Sequence, residues 1–163
     1  PRASFHIRQL ARLLDTNHMT VRKYLLNYLE QGYLQKDSSG LYPVFKAKLT
    51  PQFLNLKLYY NLEQLRKSSL INYLNAEFDY PQLVLFGSYA TAHDTSDSDI
   101  DICMITDIQK EYDLAEFEHV LGRSIDIRKY SEDEWKDLIK NNPELVNNIA
   151  KGIVLSDEFE VIR

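Results

Sequence analysis

Residues 83–105, "LVLFGSYATAHDTSDSDIDICMI", decide the fold of the C-terminal part of the chain. The apolar run at residues 83–86 is followed at once by Gly87 and Ser88, which predicts a buried strand that ends in a tight turn. A polar loop then leads to residues 99–105, where polar and apolar side chains alternate as on a second strand. This alternation places Asp99 and Asp101 on one face, with Cα atoms ~7 Å apart.

A third predicted strand, residues 124–128, carries Asp126 between two isoleucines. If this strand pairs with the second one, three carboxylates can meet at one edge of a sheet, and hard oxygen ligands of this kind suit Mg²⁺. Two such ions about 3.5–4 Å apart would lower the pKa of an attacking hydroxyl and hold a leaving pyrophosphate. Gly87 lacks a Cβ and lets a triphosphate approach, and Ser88 with the following helical N–H groups would bind phosphate oxygens.

The spacing of these residues, a Gly-Ser pair, ten residues and then Asp-x-Asp, resembles the signature of the DNA polymerase β-like nucleotidyltransferase superfamily, in particular its minimal nucleotidyltransferases. The resemblance covers roughly residues 81–155. It implies that Asp99 and Asp101 bind both metal ions, that Asp126 binds the catalytic one and helps to activate the acceptor hydroxyl, and that Gly87 and Ser88 hold the triphosphate of ATP or another NTP.

The sequence departs from this family at residues 90–92, Ala-Thr-Ala, where many members have Arg and Gly. A basic contact to phosphate is therefore lost or supplied by another part of the chain or by a partner. The departure leaves the rate of transfer and the choice of nucleotide open, but it does not affect the predicted metal site.

The first fifty residues differ from the rest in charge. They carry eight Lys and Arg against three acids, whereas the whole chain has a net charge of −5. Ser4 is the expected N-cap of a first helix, and a second helix is expected from about Asn17 to Gln31, with Gly32 just beyond its end. Two short strands should follow around a turn at residues 37–40.

This order resembles the winged helix-turn-helix family, whose usual first helix would precede Pro1. The resemblance implies a recognition helix and a wing that contact DNA through five residues: His18, Thr20, Arg22, Lys23 and Lys36. Winged helices also serve as dimerisation or protein-docking modules, so this interpretation stays open beside DNA binding.

The expected fold class is α+β, in three parts. Residues 1–50 form the winged helix-turn-helix, residues 51–79 a helical connector of one long or two short helices, and residues 80–163 a small nucleotidyltransferase domain with a mixed sheet. The single cysteine, Cys103, cannot form an internal disulfide, and no apolar run approaches the roughly 18 residues of a membrane span. We therefore expect a cytoplasmic protein without a membrane segment.

The predicted function is a metal-dependent transfer of a nucleoside monophosphate, AMP from ATP, to a hydroxyl of a protein acceptor. In minimal nucleotidyltransferases the acceptor is often a tyrosine of a HEPN-type toxin, so the chain is expected to be an antitoxin that also represses its own operon, and a homodimer would suit such a regulator. The alternative is a nucleotide-sensing transcriptional regulator whose transferase domain is weak or inactive. A third hypothesis is transfer to a small molecule such as an antibiotic.

Overall fold

The computed structural model describes residues 3–156 and divides into two compact units, Pro1–Lys57 and Leu58–Arg163. The N-terminal unit contains β1 (Ser4–Phe5), α1 (Ile7–Leu13), α2 (His18–Glu30), β2 (Leu34–Asp37) and β3 (Val44–Ala47). Its three strands form an antiparallel sheet in the order β1-β3-β2. The helices pack on this sheet through a small core of Ala11, Val21, Leu25 and Phe45.

Local sequence explains the ends of α2. The side chain of Asn17 caps its start by accepting a hydrogen bond of 2.7 Å from the Met19 N–H. Gly32 follows the helix with a φ of +77°, a conformation that favours glycine. The predicted helix and the predicted hairpin are therefore both present in this unit.

The predicted N-cap at Ser4 is wrong. Ser4 lies in β1 and pairs with Lys46 of β3, while His6 precedes α1 and its backbone N–H donates to Gln9 Oε1 at 3.4 Å. Local sequence alone suggested a cap, because serine is a common residue at that position. Its pairing with a strand some forty residues later is a tertiary interaction that the local pattern does not contain.

Helix α3 (Pro51–Ser68) and helix α4 (Leu70–Phe78) occupy the segment expected to be a connector. The helical conformation is interrupted between them at Ser69, which has a φ of +62°. The second of the two alternatives, two helices, is therefore the one observed. Leu65, Leu70, Leu74 and Phe78 are all at most 2% exposed, and they belong to the main core of the C-terminal unit. This part of the segment is an integral layer of that unit.

The C-terminal unit continues with four strands and four helices: β4 (Gln82–Phe86), α5 (Gly87–Ala90), β5 (Ile100–Ile105), α6 (Ala115–Leu121), β6 (Ile125–Tyr130), α7 (Glu132–Asn141), α8 (Pro143–Ala150) and β7 (Ile153–Val154). The strands form one sheet in the order β6-β5-β4-β7. Strands β5 and β6 are parallel, whereas β4 is antiparallel to both of its neighbours. The predicted α+β class with a mixed sheet is confirmed.

Alternation along β5 builds a core on each face of this sheet. Ile100, Ile102 and Met104 pack with α3, α4 and α6 on one face. Cys103 and Ile105 pack on the other face with α7 and α8, where Trp135 is a central residue. Asp101, the second residue of β5, lies on the second face because it alternates with Ile100 and Ile102. Within residues 3–156 no helix combines the length and the apolar character that crossing a membrane requires.

Candidate active site

The turn after β4 is built around close contact between Gly87 and Asp101. Phe86, the last residue of β4, pairs with Asp101 of β5, and Gly87 then turns with a φ of +72°. A Cβ at Gly87 would lie 3.0 Å from Asp101 Cγ and still closer to Oδ2. Both the backbone conformation and the space therefore require glycine here. The sequence suggests a need for glycine here only through the approach of a triphosphate, and the structure adds the Asp101 carboxylate as a second reason.

The predicted carboxylates lie on adjacent strands. Asp101 of β5 is in register with Asp126 of β6, so their side chains emerge on the same face of the parallel pair. Asp99 immediately precedes β5 and is exposed. Burial raises the pKa of the half-buried Asp101 above its usual value, and the negative charges of Asp126 and Asp99 raise it further, while Arg128 opposes the rise. The site therefore holds negative charge that lacks full compensation.

Asp126 has a cationic partner of its own. Its Oδ2 lies 3.4 Å from Nε of Arg128, two residues later on the same strand, and both side chains are about half exposed. The Arg128 guanidinium also lies over the Phe86 ring, 5.5 Å from its centroid. An exposed ion pair of this kind contributes little to stability, so Asp126 can exchange this partner for another cation at small cost.

The donor chemistry of the three aspartates fits a divalent cation, because carboxylate oxygens are the ligands that Mg²⁺ prefers. Their arrangement is less complete than the sequence predicts. Among residues 3–156, no three His, Cys, Asp or Glu side chains stand close enough together to form a ready metal site. Asp126 and Asp99 act electrostatically on Asp101, but the three carboxylates are not gathered around one point.

A cleft of about 370 Å³ opens beside Asp101 and Gly87. Its other walls come from α5, from β6 and from the end of α8, with Thr91, Arg128, Asn148 and Lys151 as the polar side chains. Thr91 lies within the Ala-Thr-Ala segment at residues 90–92, and its hydroxyl donates to the Gly87 carbonyl at 3.2 Å. Arg128 and Lys151 bring two cations to the cleft beside this segment.

Arg128 and Lys151 are not among the residues predicted from the sequence to form the site. Arg128 could have been found, because it is two residues from Asp126 and must share its face of the strand. Lys151 is brought to the cleft only by the packing of α8 against β4, which no local pattern predicts. Of the predicted residues, Gly87 and Asp101 line the cleft, whereas Ser88, Asp99 and Asp126 are not among the described residues that line it.

Ser88 contributes to the turn through its backbone. Its carbonyl accepts hydrogen bonds from the N–H groups of His93 and Asp94, at 3.0 and 3.2 Å, which fixes the start of the loop between α5 and β5. Helix α5 itself has only four residues. Binding of phosphate by the Ser88 hydroxyl and by the N–H groups of this short helix stays a prediction.

A buried polar network holds the loop that delivers Asp99 and Asp101. The Asp94 side chain, which is not exposed to solvent, accepts 2.9 Å from Asn61 Nδ2 and 3.0 Å from Arg123 Nη2. Asn61 also donates to the Tyr89 carbonyl at 3.0 Å, and Arg123 donates to the Ser98 carbonyl at 2.8 Å. Helix α3, the loop and the turn that leads into β6 are therefore tied together directly before Asp99 and Asp101.

Replacing Arg123 by Met should lower the free energy of unfolding by about 3 kcal/mol, because the buried Asp94 carboxylate loses its cationic partner. Chemical denaturation monitored by circular dichroism measures this loss. Arg66→Met is the matched control, because the Arg66 side chain is 69% exposed in its ion pair with Glu63. Loss of this exposed pair should lower the free energy of unfolding by about 1 kcal/mol or less. Equal losses for the two variants would show that the network does not hold the loop.

The single cysteine of the chain is not a candidate nucleophile. Cys103 is fully buried in the core under α7 and α8, and burial raises the pKa of its thiol to about 12, which excludes a role as a nucleophile at neutral pH.

The predicted DNA-contacting residues all lie in the N-terminal unit and are all exposed. Helix α2 carries His18, Thr20, Arg22 and Lys23, and strand β2 carries Lys36. Exposure is compatible with binding DNA and also with ordinary solvation, so their role stays a prediction.

Comparison with protein families gives one match. A family described as polymerase beta, nucleotidyltransferase matches residues 68–159, more than half of the chain. The matched region includes α4, the turn at Gly87 and all three aspartates. No curated protein matches the sequence significantly.

Proposed function

The chain belongs to the polymerase β nucleotidyltransferase family, and we propose that it transfers a nucleoside monophosphate, AMP from ATP, to a hydroxyl group of a protein acceptor. One observation carries the proposal. The Asp101 carboxylate lies against the Gly87 backbone, while Asp126 stands in register beside it on the next strand. The two halves of the sequence motif and the third carboxylate therefore meet at one end of the sheet.

In this proposal Asp99, Asp101 and Asp126 hold Mg²⁺, with two ions expected, and the metal supplies stabilisation of the charge on the transferring phosphate and the pyrophosphate. The raised pKa of Asp101 supports this assignment, because uncompensated negative charge favours a cation. Gly87 and Ser88 contact the triphosphate at the turn.

Arg128 and Lys151 hold the triphosphate in the cleft and replace the arginine that many relatives have near Thr91. The acceptor oxygen forms a bond to the α-phosphorus as the bond to pyrophosphate breaks, and the hydroxyl proton passes to Asp126. Arg128 leaves Asp126 for a phosphate oxygen when the nucleotide binds, since their ion pair is exposed and weak.

The acceptor and the biological role come from the resemblance to minimal nucleotidyltransferases. We infer that the acceptor is a HEPN-type toxin, which the transferase silences by modification as its antitoxin. The N-terminal unit would be a winged helix-turn-helix that represses the operon, acting as a homodimer in the cytoplasm. The order of two helices and an antiparallel hairpin, together with a basic balance of charge, supports this part of the proposal.

The test is incubation of the full chain with Mg²⁺, α-labelled ATP and a lysate of its source cells. Label on one protein band is expected with the wild type and with Asp97→Asn, because Asp97 is an exposed carboxylate of the same loop outside the predicted site. No label is expected with Asp99→Asn/Asp101→Asn. Equal labelling by this double variant would refute the assigned site.

A second candidate function is a nucleotide-sensing DNA-binding regulator. The absence of a ready three-carboxylate site among residues 3–156 and the pairing of Asp126 with Arg128 favour it. It predicts ATP binding without label on any macromolecule, and DNA binding that changes with ATP.

DNA binding by the N-terminal unit is tested with Lys23→Ala. Loss of one phosphate contact should weaken binding to operator DNA uniformly and reduce the slope of log affinity against log salt by about 1. Fluorescence anisotropy at several salt concentrations measures this slope. Lys48→Ala, an exposed lysine of the same unit outside the predicted contacts, should keep the wild-type slope. An unchanged slope for Lys23→Ala would point to a protein-docking role for this unit.

A further inference from the structure

The N-terminal unit contains a cleft of about 990 Å³ that nucleotidyl transfer does not use. Much of its wall is apolar, with side chains from β1, both helices and the hairpin: Phe5, Ile7, Leu13, Met19, Tyr42 and Pro43. Leu13 is 69%, Met19 56% and Tyr42 64% exposed. Exposed apolar side chains gathered around a concavity of this size are typical of a ligand site rather than of an ordinary surface.

The rest of the wall is basic. Arg8 and Arg12 stand one turn apart on α1, and His18 and Arg22 stand one turn apart on α2. Among the described residues, no Asp or Glu lines this cleft. Asp15 lines a separate, adjoining cleft of about 410 Å³.

The guanidinium groups of Arg8, Arg12 and Arg22 form no ion pair or hydrogen bond in the part of the chain that the structure describes. Asp15 lines the adjoining cleft beside Arg8 and Arg12 without pairing with either of them. An anion placed between the three guanidinium groups would accept charge-assisted hydrogen bonds from them. Arginine also recognises carboxylates well, because its planar group donates two parallel hydrogen bonds.

We propose that this cleft binds an amphipathic organic anion, with an aliphatic or aromatic body against the apolar wall and a carboxylate head between Arg8, Arg12 and Arg22. Both halves of the wall are needed for this assignment. Duplex DNA would satisfy the arginines, but its phosphates cannot fill an apolar concavity. A neutral lipid would cover the apolar wall and leave the arginines without an anion. The proposal is independent of nucleotidyl transfer, so failure of either leaves the other standing. It shares His18 and Arg22 with the predicted DNA contacts, so the anion and DNA would compete for these two side chains.

The test is calorimetric titration of the full chain with decanoate, below its micelle concentration, with decanol as the uncharged probe of equal length. Saturable binding of decanoate and much weaker binding of decanol are expected. Arg8→Ala/Arg12→Ala should weaken decanoate binding by about tenfold or more, because charge-assisted hydrogen bonds to the head are lost. Lys46→Ala/Lys48→Ala removes two exposed charges of the same unit outside the cleft and should bind as the wild type does.

The apolar wall is tested separately with Leu13→Ser. This variant keeps every charge and should fold normally, since Leu13 is mostly exposed, yet it should also weaken decanoate binding. Circular dichroism confirms that each variant is folded. The proposal is overturned if decanol binds as tightly as decanoate, or if the arginine and lysine variants bind equally. It is likewise overturned if no saturable binding occurs, or if only duplex DNA binds in an arginine-dependent way.

Discussion

Asp101→Asn is expected to lower the rate of nucleotidyl transfer by more than about 100-fold. Loss of a residue that only supports a metal ligand costs up to about 100-fold, and loss of a ligand itself should cost more. Asn keeps the volume of Asp101 but provides only one neutral oxygen, so the charge that favours a divalent cation beside Gly87 is reduced. Steady-state transfer of labelled AMP measures the effect. Asp97→Asn is the matched control and should retain wild-type activity, because Asp97 is an exposed carboxylate of the same loop that is not one of the three predicted metal ligands.

The same substitution should stabilise the fold at neutral pH when divalent metal is absent. The pKa of Asp101 is raised above 3.8 in the folded protein, chiefly by burial and then by Asp126. The Asp101 carboxyl therefore keeps its proton to a higher pH in the folded protein than in the unfolded chain. The stability from this group is present below the unfolded pKa and is lost as the pH rises through the folded pKa.

Thermal unfolding of both proteins across pH 3–8 with EDTA checks this sign. The melting temperature of Asp101→Asn should exceed that of the wild type most at neutral pH, and the difference should shrink toward pH 3. Mg²⁺ with ATP should then raise the melting temperature of the wild type alone, since a ligand stabilises the state that binds it. A lower melting temperature for the variant at neutral pH without metal would contradict the burial of an uncompensated carboxylate.

Gly87→Ala is the second change with a large expected effect. The left-handed backbone at φ +72° costs a residue with a Cβ about 1–2 kcal/mol, and the new methyl group would also collide with the Asp101 carboxylate. The free energy of unfolding should therefore fall by more than the cost of the left-handed backbone conformation alone. Activity should fall to the level of Asp101→Asn, because Asp101 must move away to make room.

Gly122→Ala separates the two causes. Gly122 ends α6 with a φ of +63°, but a Cβ there would meet nothing within 4 Å. This variant should lose about 1–2 kcal/mol and keep its activity per folded molecule. Denaturation and transfer assays on both variants give the comparison. If Gly87→Ala loses no more stability and no more activity than Gly122→Ala, Gly87 is not held by its contact with Asp101.

The sequence predicted the centre of the C-terminal unit well, because the features that define it are local. An apolar run, a glycine and alternating aspartates specify a strand, a turn and a second strand. The pairing of Asp101 with Asp126 was conditional on the order of strands, and the register bears it out. The role of these residues in catalysis stays a prediction.

Other parts of the site depend on contacts between distant residues. Asn61 and Asp94 are 33 residues apart and Arg123 is 29 residues beyond Asp94, and nothing in the local pattern around any of them indicates a shared network. Lys151 reaches the cleft for the same reason, through the packing of α8. Such contacts are decided by how helices dock on the sheet, which hydrophobic periodicity predicts only in outline.

The most direct test of the proposed site is paramagnetic broadening of amide signals by Mn²⁺ with ATP, in nuclear magnetic resonance spectra of the ¹⁵N-labelled full chain. We expect the signals of Gly87, Asp101 and Asp126 to broaden first in the wild type and in Asp97→Asn, and to persist in Asp101→Asn. Broadening centred elsewhere, or equal broadening in Asp101→Asn, would contradict a metal-nucleotide site at the end of strands β4, β5 and β6.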